Sequence, residues 1–231
     1  MSTGDGIDSG IETEIERALA AFRSGGPVLV YDFNDREGET DIIYPAETVS
    51  PEAIAQLRND AGGLICVALS DAVSREFSLP FRENILDHPI ATGHDLSYDD
   101  RSSFSLTVNH RDTFTGVTDE DRTRTITKLA AAARAVTEDN DYNVDDFAAE
   151  FRAPGHVHLL RAAPNLLVNR QGHTELGLAL ARASDITPAV VVCEMLDDEN
   201  GKALSVTDTR NYAERGGYPF LEGEWIVEAF G

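Results

Sequence analysis

The sequence predicts a single α+β domain, an irregular α/β arrangement in which a mixed β-sheet is flanked by helices. Short apolar runs typical of buried strands alternate with helical segments, but without a regular strand–helix repeat. With 231 residues and 42% hydrophobic composition, the chain can bury one large core. No internal repeat and no domain-dividing linker occurs. We therefore expect a flexible N-terminus at residues 1–10 and one folded domain at residues 11–231.

In the first third of the chain, helix and strand signals alternate. "IETEIERALAAFRSGG" has apolar residues at helical spacing and predicts a helix that ends at Gly25. "PVLVYDF" predicts a strand at residues 28–31, and "DIIYPAE" a second strand after an acidic loop. "SPEAIAQLRNDAGG" has a capping serine, a proline at the first helical position and terminal glycines, so it predicts a well-delimited helix. "LICVALS" predicts a buried strand.

The rest of the chain gives a less regular pattern. Residues 80–102 are polar and irregular, and "SFSLTVNH" alternates like a half-buried strand. "GVTDEDRTRTITKLAAAAR" predicts a capped helix. "NDYNVDDFAAEFRAPGHVHLLRA" predicts a loop, a short helix and a Pro-Gly turn. Next come a strand in "PNLLV", a helix in "HTELGLALARASD", a strand in "AVVVCEML", and a short strand and helix near "EGEWIVEAF".

Charge and cysteine content restrict the possible partners and compartment. The formal net charge is −22, which disfavours nucleic acids and anionic membranes as partners. Two lysines, Lys128 and Lys202, stand against seventeen arginines among 19 basic residues, a pattern that indicates salt adaptation. Cys66 and Cys193 lie in apolar runs and predict buried thiols in a reducing compartment. No signal peptide or long apolar stretch occurs, so we expect a cytoplasmic protein.

The acidic loop "DREGETD" places Glu37, Glu39 and Asp41 two residues apart from one another. In extended backbone this spacing directs the three carboxylates to one side, where they repel unless a cation or bound protons offset them. Hard divalent cations such as Mg²⁺ accept carboxylate oxygens. For the loop taken alone, a solvated acidic surface is the simpler interpretation.

A second candidate stretch is "NRQGHTE", where a helix is predicted to begin. Arg170, Gly172, His173 and Thr174 could form a phosphate cradle, because helix N-termini offer backbone N–H groups beside the arginine and the hydroxyl. Capping by Thr174 with an acid in the first turn is the alternative. Capping does not require an arginine and a histidine, and imidazole is a suitable ligand for Mn²⁺.

Further candidates are isolated polar groups. Glu194 interrupts an apolar strand and is either solvated at the strand end or held in a site as a general acid or base. His156 and His158 alternate as a possible metal pair, although packing of one histidine in the turn is the simpler interpretation. The threonine-rich "FTGVTDEDRTRTI" fits either helix capping or a sugar-phosphate contact. No Gly-x-Ser-x-Gly, Walker A, Rossmann or Cys-x-x-Cys motif is present.

Five separated stretches occur together in the order and spacing of one family: "DREGETDIIYPAE", "TGVTDEDRTRTI", "APGHVHLLRA", "RQGHTE" and "CEM". From about residue 10 to its C-terminus the chain resembles 3,4-dihydroxy-2-butanone 4-phosphate synthase, in the stand-alone form without a GTP cyclohydrolase II domain. Its acidic composition suggests a haloarchaeal member. The family usually has Asp-Arg-Glu-x-Glu-Gly-Asp in the first stretch. Thr40 takes the place of that glycine, and threonine tolerates positive φ poorly.

The resemblance implies conversion of D-ribulose 5-phosphate to formate and L-3,4-dihydroxy-2-butanone 4-phosphate with Mg²⁺ or Mn²⁺, two ions per site. It implies that Glu37 and His173 hold the metals, that Arg36 and Asp41 contact the substrate, and that Glu194, Glu39 and Asp41 are the candidates for proton transfer. It also implies that the stretch Arg170, Gln171, Gly172, His173, Thr174 binds the phosphate. A homodimer with shared active sites is expected, with Thr115 and His156 reaching the partner's site.

Two other functions remain open from the residues alone. Another metal-dependent sugar-phosphate isomerase or aldolase would use the same acidic loop and phosphate cradle, and formate release separates it from the lyase. An acidic binding protein for a phosphorylated metabolite or a divalent cation would bind without turnover. Pure binding gives no reason for a glutamate inside a strand in addition to the acidic loop.

Overall fold

The structure is a computed structural model that describes residues 9–91, 99, 101–138 and 141–231. Seven strands form one mixed sheet in the order β4-β5-β3-β6-β2-β1-β7. They are β1 Val28–Tyr31, β2 Thr40–Pro45, β3 Cys66–Leu69, β4 Phe104–His110, β5 Phe151–Arg161, β6 Ala189–Glu194 and β7 Phe220–Glu222. β1 pairs in parallel with β7, and β3 with β5, while the other pairs are antiparallel. This confirms the predicted mixed sheet in an α+β domain.

Helices cover both faces of this sheet. They are α1 Ser9–Arg23, α2 Pro51–Gln56, α3 Asp71–Glu76, α4 Asp119–Thr137, α5 Val144–Glu150, α6 His173–Ala183, α7 Val206–Gly216 and α8 Gly223–Phe230. α1, α6 and α8 bury their apolar residues on one face, and α2, α3, α4, α5 and α7 on the other. Strands β1, β2, β3 and β6 are buried on both faces, which explains their continuous apolar runs.

Helix α2 follows its sequence signals closely. The hydroxyl of Ser50 accepts a hydrogen bond from the N–H of Ala53, and Pro51 occupies the first helical position. After Gln56 the helix widens into a π-helical turn, Leu57–Ala61, and ends at Gly62 with φ of 84°. This turn directs the chain toward the end of β6.

Two segments differ from the predictions. The predicted Pro-Gly turn is part of β5, because side chains of β4 replace the missing ladder bonds: Thr107 Oγ1 accepts from Gly155 N–H at 3.3 Å, and Asn109 Oδ1 from His156 N–H at 2.8 Å. The predicted strand in "PNLLV" is a 3₁₀ turn at Leu166–Val168. Asn165 and Leu166 both have positive φ there, which a strand cannot accommodate.

Other differences lie in segments without a clear pattern. The short helices α3 and α7 were not predicted, although serines cap both. Within the polar stretch 80–102, 3₁₀ turns occur at Arg82–Asn84 and Pro89–Ala91, while residues 92–98 and 100 lie outside the described residues. Helix α1 begins at Ser9, and the rest of the expected flexible N-terminus, residues 1–8, also lies outside them.

Candidate active site

A cavity of about 250 Å³ lies where the ends of β2, β3 and β6 meet. Asp41 of β2 is the antiparallel partner of Glu194 on β6, and Cys66 at the start of β3 pairs with Val192. Seven of the site residues predicted from the sequence line this cavity: Arg36, Glu37, Asp41, Arg170, His173, Thr174 and Glu194. Cys66, Phe104, Leu160 and Val192 add apolar surface, and Asp99 and residues 101–103 complete the described lining. The sheet thus brings residues far apart in sequence into one cleft.

The acidic loop between β1 and β2 folds around the buried carboxylate of Asp32. This carboxylate accepts hydrogen bonds from the N–H groups of Glu37 at 3.1 Å and Glu39 at 3.0 Å, and from Arg36 at 3.2 Å. Because Asp32 is engaged by these three donors, its main role is to order the loop. Asp32 belongs to none of the predicted site stretches, and its signal in the sequence was an acid directly after a buried strand.

Backbone conformation in this loop explains the departure at Thr40. Gly38 has φ of 68°, so the residue that requires glycine lies before Glu39. Thr40 is instead the first residue of β2, where it pairs with Tyr31 and is buried. Threonine therefore fits this position without strain.

A carboxylate–imidazole cluster forms the charged centre of the cavity. His173 Nδ1 lies 3.2 Å from Glu37 Oε2 and 3.7 Å from Asp41 Oδ1. Among the described residues, Asp41 Oδ1 and His173 Nε2 are buried without a hydrogen-bond partner. Glu37, His173 and Asp32 each offer a ligand atom within 4.8 Å of the others. One ring nitrogen of the predicted metal ligand His173 and one carboxylate oxygen of the neighbouring Asp41 are thus free to bind a metal ion.

The pKa values of Asp41 and His173 are both raised, because several carboxylates lie close together in this cluster. Burial, together with the charges of Glu194 and Glu37, raises the pKa of Asp41 well above its usual value despite the nearby imidazolium. Burial lowers the pKa of His173, but the charge of Asp41 and the hydrogen bond to Glu37 outweigh it and raise that pKa to about 9. In the absence of a cation, the cluster therefore retains protons.

The two glutamates of the loop differ. Burial raises the pKa of Glu37, but the hydrogen bond and charge of His173, with the charge of Arg36, outweigh burial and lower that pKa. The pKa of Glu39 is raised by burial and by the charges of Glu37 and Glu194. Glu37 is therefore the anionic oxygen donor of the loop. Carboxylate oxygen and imidazole nitrogen fit Mg²⁺ or Mn²⁺, which would replace the retained protons.

The opposite wall of the cavity is an arginine pair over the start of α6. The helix begins after Gly172, which provides no side-chain cap, so Thr174 is not the cap. A Cβ at Gly172 would lie 2.4 Å from Arg170 Nη1 and 2.7 Å from Arg36 Nη2. Glycine thus permits both guanidinium groups to lie against a helix N-terminus, where backbone N–H groups favour an anion.

Asp99 joins this arginine pair, and no pattern in the sequence indicated it. Its Oδ2 accepts hydrogen bonds from Arg36 Nη2 at 2.8 Å and from Arg170 Nε at 2.7 Å. The Nη1 group of Arg170 donates to Glu175 Oε2 at 2.6 Å, and Glu175 is fully buried. A half-buried carboxylate, Asp99, and a fully buried one, Glu175, thus both bind Arg170.

Five predicted site residues, Gly172 among them, do not line the cavity. Glu39 lies on the acidic loop beside it, and Gln171 is exposed with its amide 3.4 Å from the carbonyl of Leu167. Thr115 donates its N–H to Asp121 at the start of α4. His156 is exposed on β5, with Nδ1 3.1 Å from Asn109.

Comparison with known proteins gives a consistent result. A family model described as 3,4-dihydroxy-2-butanone 4-phosphate synthase matches residues 16–229. Proteins of that name from Archaeoglobus fulgidus and Methanosarcina mazei are similar to the chain. The first is 49% identical, with 94% of each chain covered. The second is 47% identical, with 94% of this chain and 90% of the relative covered.

Solved structures agree with the sequence comparison. The Candida albicans protein of the same name is 30% identical with a TM-score of 0.74, covering 94% of this chain and 97% of that one. A further structure of that name, in complex with two magnesium ions, is 28% identical with a TM-score of 0.73. The match covers 93% of this chain and 95% of that one. Within the described residues, no helix has the length and apolar character needed to cross a bilayer.

Proposed function

The chain belongs to the 3,4-dihydroxy-2-butanone 4-phosphate synthase family, and on that premise we propose which of its residues perform the family's reaction. The protein is a carbon–carbon lyase of riboflavin biosynthesis that converts D-ribulose 5-phosphate to L-3,4-dihydroxy-2-butanone 4-phosphate and formate. One observation carries the assignment of residues. Glu37, Asp41 and His173 converge in the same cavity as Arg36 and Arg170.

We propose that Glu37 and His173 hold the divalent ions, Mg²⁺ or Mn²⁺, with two ions per site. Support comes from the unpartnered His173 Nε2 and Asp41 Oδ1, and from the two magnesium ions of the related structure. When bound, such ions stabilise negative charge on substrate oxygens. Glu37 contributes an anionic oxygen, and the imidazole of His173 contributes a nitrogen.

The phosphate of the substrate is assigned to the arginine pair and the start of α6. Arg36 and Arg170 are buried enough to form strong charge-assisted hydrogen bonds, and the N–H groups after Gly172 have no side-chain cap. The hydroxyl of Thr174 lies in the same lining. Gln171 joins this group through its backbone only, because its side chain is exposed.

Proton transfer is assigned first to Glu194. Enolisation of a ketose requires a base beside the reacting carbon, and Glu194 is the lining carboxylate that does not contact His173 or the arginine pair. Asp41 is the second candidate, since its raised pKa suits proton donation. Glu39 is the third, from the loop beside the cavity. The apolar side chains of Phe104, Leu160 and Val192 line the same cavity.

We also propose a homodimer whose subunits complete each other's sites. Thr115 and His156 lie away from the cavity of their own chain. In the loop that carries Thr115, the exposed fraction is 92% for Phe114 and 51% for Val117. Such exposed apolar side chains favour a protein contact. Free, buried Cys66 and Cys193 and the excess of acid support a cytoplasmic, salt-adapted enzyme without nucleic-acid or membrane partners.

Formate production from D-ribulose 5-phosphate tests this assignment. In high salt with Mg²⁺, the purified protein is expected to release formate, and chelation of the metal should abolish release until Mg²⁺ is restored. Glu37→Gln and His173→Ala should each lower kcat by about a hundredfold or more, since both remove groups that stabilise charge in the transition state. Glu228→Gln and His88→Ala, at exposed positions, are the matched controls and should retain activity.

Other outcomes identify the alternatives. Isomerisation of the substrate without formate would support a sugar-phosphate isomerase. Binding of D-ribulose 5-phosphate without turnover in any salt would support a binding protein. Full activity in Glu37→Gln would refute the proposed metal site while leaving the lyase reaction in place.

A further inference from the structure

The carboxylate of Glu194 is held by the segment that follows the π-helical turn. The N–H of Leu64 donates to Glu194 Oε2 at 2.7 Å, and the N–H of Gly63 donates to the backbone carbonyl of Glu194 at 3.0 Å. Two successive N–H groups thus fix both the backbone and the side chain of one residue. Among the residues that the structure describes, none donates a hydrogen bond to Glu194 Oε1, and Glu194 lines the cavity.

This clamp requires the absence of a side chain at residue 63. A Cβ on Gly63 would lie 2.5 Å from the carbonyl oxygen of Glu194, 2.5 Å from its Oε2 and 2.8 Å from its Cβ. Gly63 does not have a positive φ, so glycine is required here for close approach and not for backbone conformation. Any larger residue must displace the glutamate or the segment.

Neighbouring backbone contacts prevent the end of β6 from moving away. On one side the N–H of Met195 donates to the carbonyl of Thr40 at 2.8 Å, and on the other the N–H of Leu196 donates to Ala61 at 2.7 Å. Met195 is also bridged to Gly62. The backbone around Glu194 is therefore fixed. Because a Cβ at residue 63 would clash with the carbonyl oxygen of Glu194 as well as with its side chain, it would push residues 63–64 away and withdraw the Leu64 N–H from the carboxylate.

We propose that Gly63, with the N–H of Leu64, is a positioning element for the lyase reaction that ties one carboxylate oxygen of Glu194 and presents the other to the substrate. This inference rests on the proposed role of Glu194 in proton transfer. The phosphate and metal groups lie on β2, the acidic loop and α6, so the clamp affects the chemical step and not substrate binding. Gly63 touches no reacting atom and acts through Glu194.

Gly63→Ala tests the clamp against a matched glycine. We expect kcat for formate release to fall between about tenfold and a hundredfold, the size expected when a reacting group is misplaced by roughly an ångström, with KM for D-ribulose 5-phosphate unchanged. Gly26→Ala is the control, because its Cβ would meet only ordinary contacts, 3.5 Å from the carbonyl of Ala21. Its kcat should stay at the wild-type value, and thermal melting of both variants reports folding.

A double-mutant cycle separates positioning from general damage. In a Glu194→Gln background, Gly63→Ala should lower kcat no further, because the group that it positions has already lost its function. An additive fall, or a rise in KM with kcat unchanged, would overturn the proposal. Glu194→Asp provides a second test that keeps Gly63, since the shorter side chain cannot keep both the Leu64 contact and its place in the cavity. Wild-type kcat in Glu194→Asp would also overturn it.

These variants distinguish the two levels of inference. If Glu194→Gln retains wild-type kcat, the proton-transfer role of Glu194 fails and the clamp has no catalytic purpose. If Glu194→Gln is impaired while Gly63→Ala behaves like Gly26→Ala, the role of Glu194 stands and the positioning role of Gly63 is refuted.

Discussion

Single residues in the cavity show how strongly its charges depend on one another. Asp99 is the clearest case, because one oxygen accepts from both Arg36 and Arg170. Burial raises the pKa of Asp99, but the hydrogen bond and charge of Arg170 and then of Arg36 outweigh it, so the pKa lies below its usual value. A phosphate that binds these arginines must therefore compete with an anion that the chain already supplies.

Asp99→Asn is expected to strengthen binding of inorganic phosphate. Removing the internal anion should lower the inhibition constant of phosphate against D-ribulose 5-phosphate by about tenfold, which corresponds to about 1.4 kcal/mol. The measurement is competitive inhibition of formate release at constant ionic strength.

Asp112→Asn makes the same charge change at an exposed position and serves as the control. Its inhibition constant should equal that of the wild type. Weaker phosphate inhibition in Asp99→Asn would instead mean that Asp99 holds the arginines in their binding geometry.

At the scale of elements, side chains cap five of the described helix starts, and of the two that are recorded without such a cap, α6 and α8, it is α6 that adjoins the cavity. Ser50, Ser70, Thr118, Asn143 and Ser205 accept hydrogen bonds from the N–H groups that begin α2, α3, α4, α5 and α7. α6 begins at His173, after Gly172, without such a cap, and its first N–H groups adjoin the cavity. The uncapped start is what an anion site requires.

The cap of α4 is expected to be important for stability. Thr118 accepts from Asp121 N–H at 3.1 Å at the start of this 19-residue helix. Thr118→Ala should lower the free energy of unfolding by about 1 kcal/mol, because one helical N–H loses its acceptor. Urea denaturation at fixed salt measures the loss.

Thr127→Ala is the matched control within the same helix. The hydroxyl of Thr127 donates to the carbonyl of Thr123 inside the helix, and alanine has the higher helix propensity. We expect no comparable fall in the free energy of unfolding for Thr127→Ala. Equal midpoints for Thr118→Ala and wild type would contradict the capping role.

The whole molecule carries 41 acidic and 19 basic residues, a net charge of −22. Repulsion among these charges opposes the compact state, and it acts over about 10 Å at ~0.1 M salt but only about 3 Å at ~1 M. Salt therefore weakens the electrostatic repulsion that opposes folding of the sheet and its two helical layers.

Thermal stability should consequently rise with salt. Between ~0.1 M and ~1 M KCl we expect Tm to increase by at least about 4 °C, which corresponds to one to two kcal/mol for a chain of this length. A sulfate series at equal ionic strength is the control, because screening gives the same rise while preferential exclusion gives a larger one in sulfate. An unchanged Tm across the KCl series would refute salt adaptation.

Much of the fold could be predicted because its signals are local. The strand at Val28–Tyr31 and the capped helix that begins at Pro51 follow from apolar runs and terminal residue types. Helix α7 has a low apolar content and was missed, and β5 was interrupted in the prediction because Pro154 cannot donate to a ladder. The residues of β4 that pair with β5 are distant from it in sequence, so no local pattern indicated this pairing.

The sequence by itself determined the chemistry that is available: an acidic loop, a helix start with arginine and histidine, and a glutamate that interrupts an apolar strand. Only the tertiary structure decided which groups meet. Asp99 contacts Arg170, 71 residues away in sequence, and Leu64 contacts Glu194, 130 residues away. Residue types alone do not predict such contacts. The register of β2 and β6 brings Asp41 opposite Glu194, and burial then raises the pKa of Asp41. Proximity and desolvation are properties of the packed chain, so the site exists only after folding.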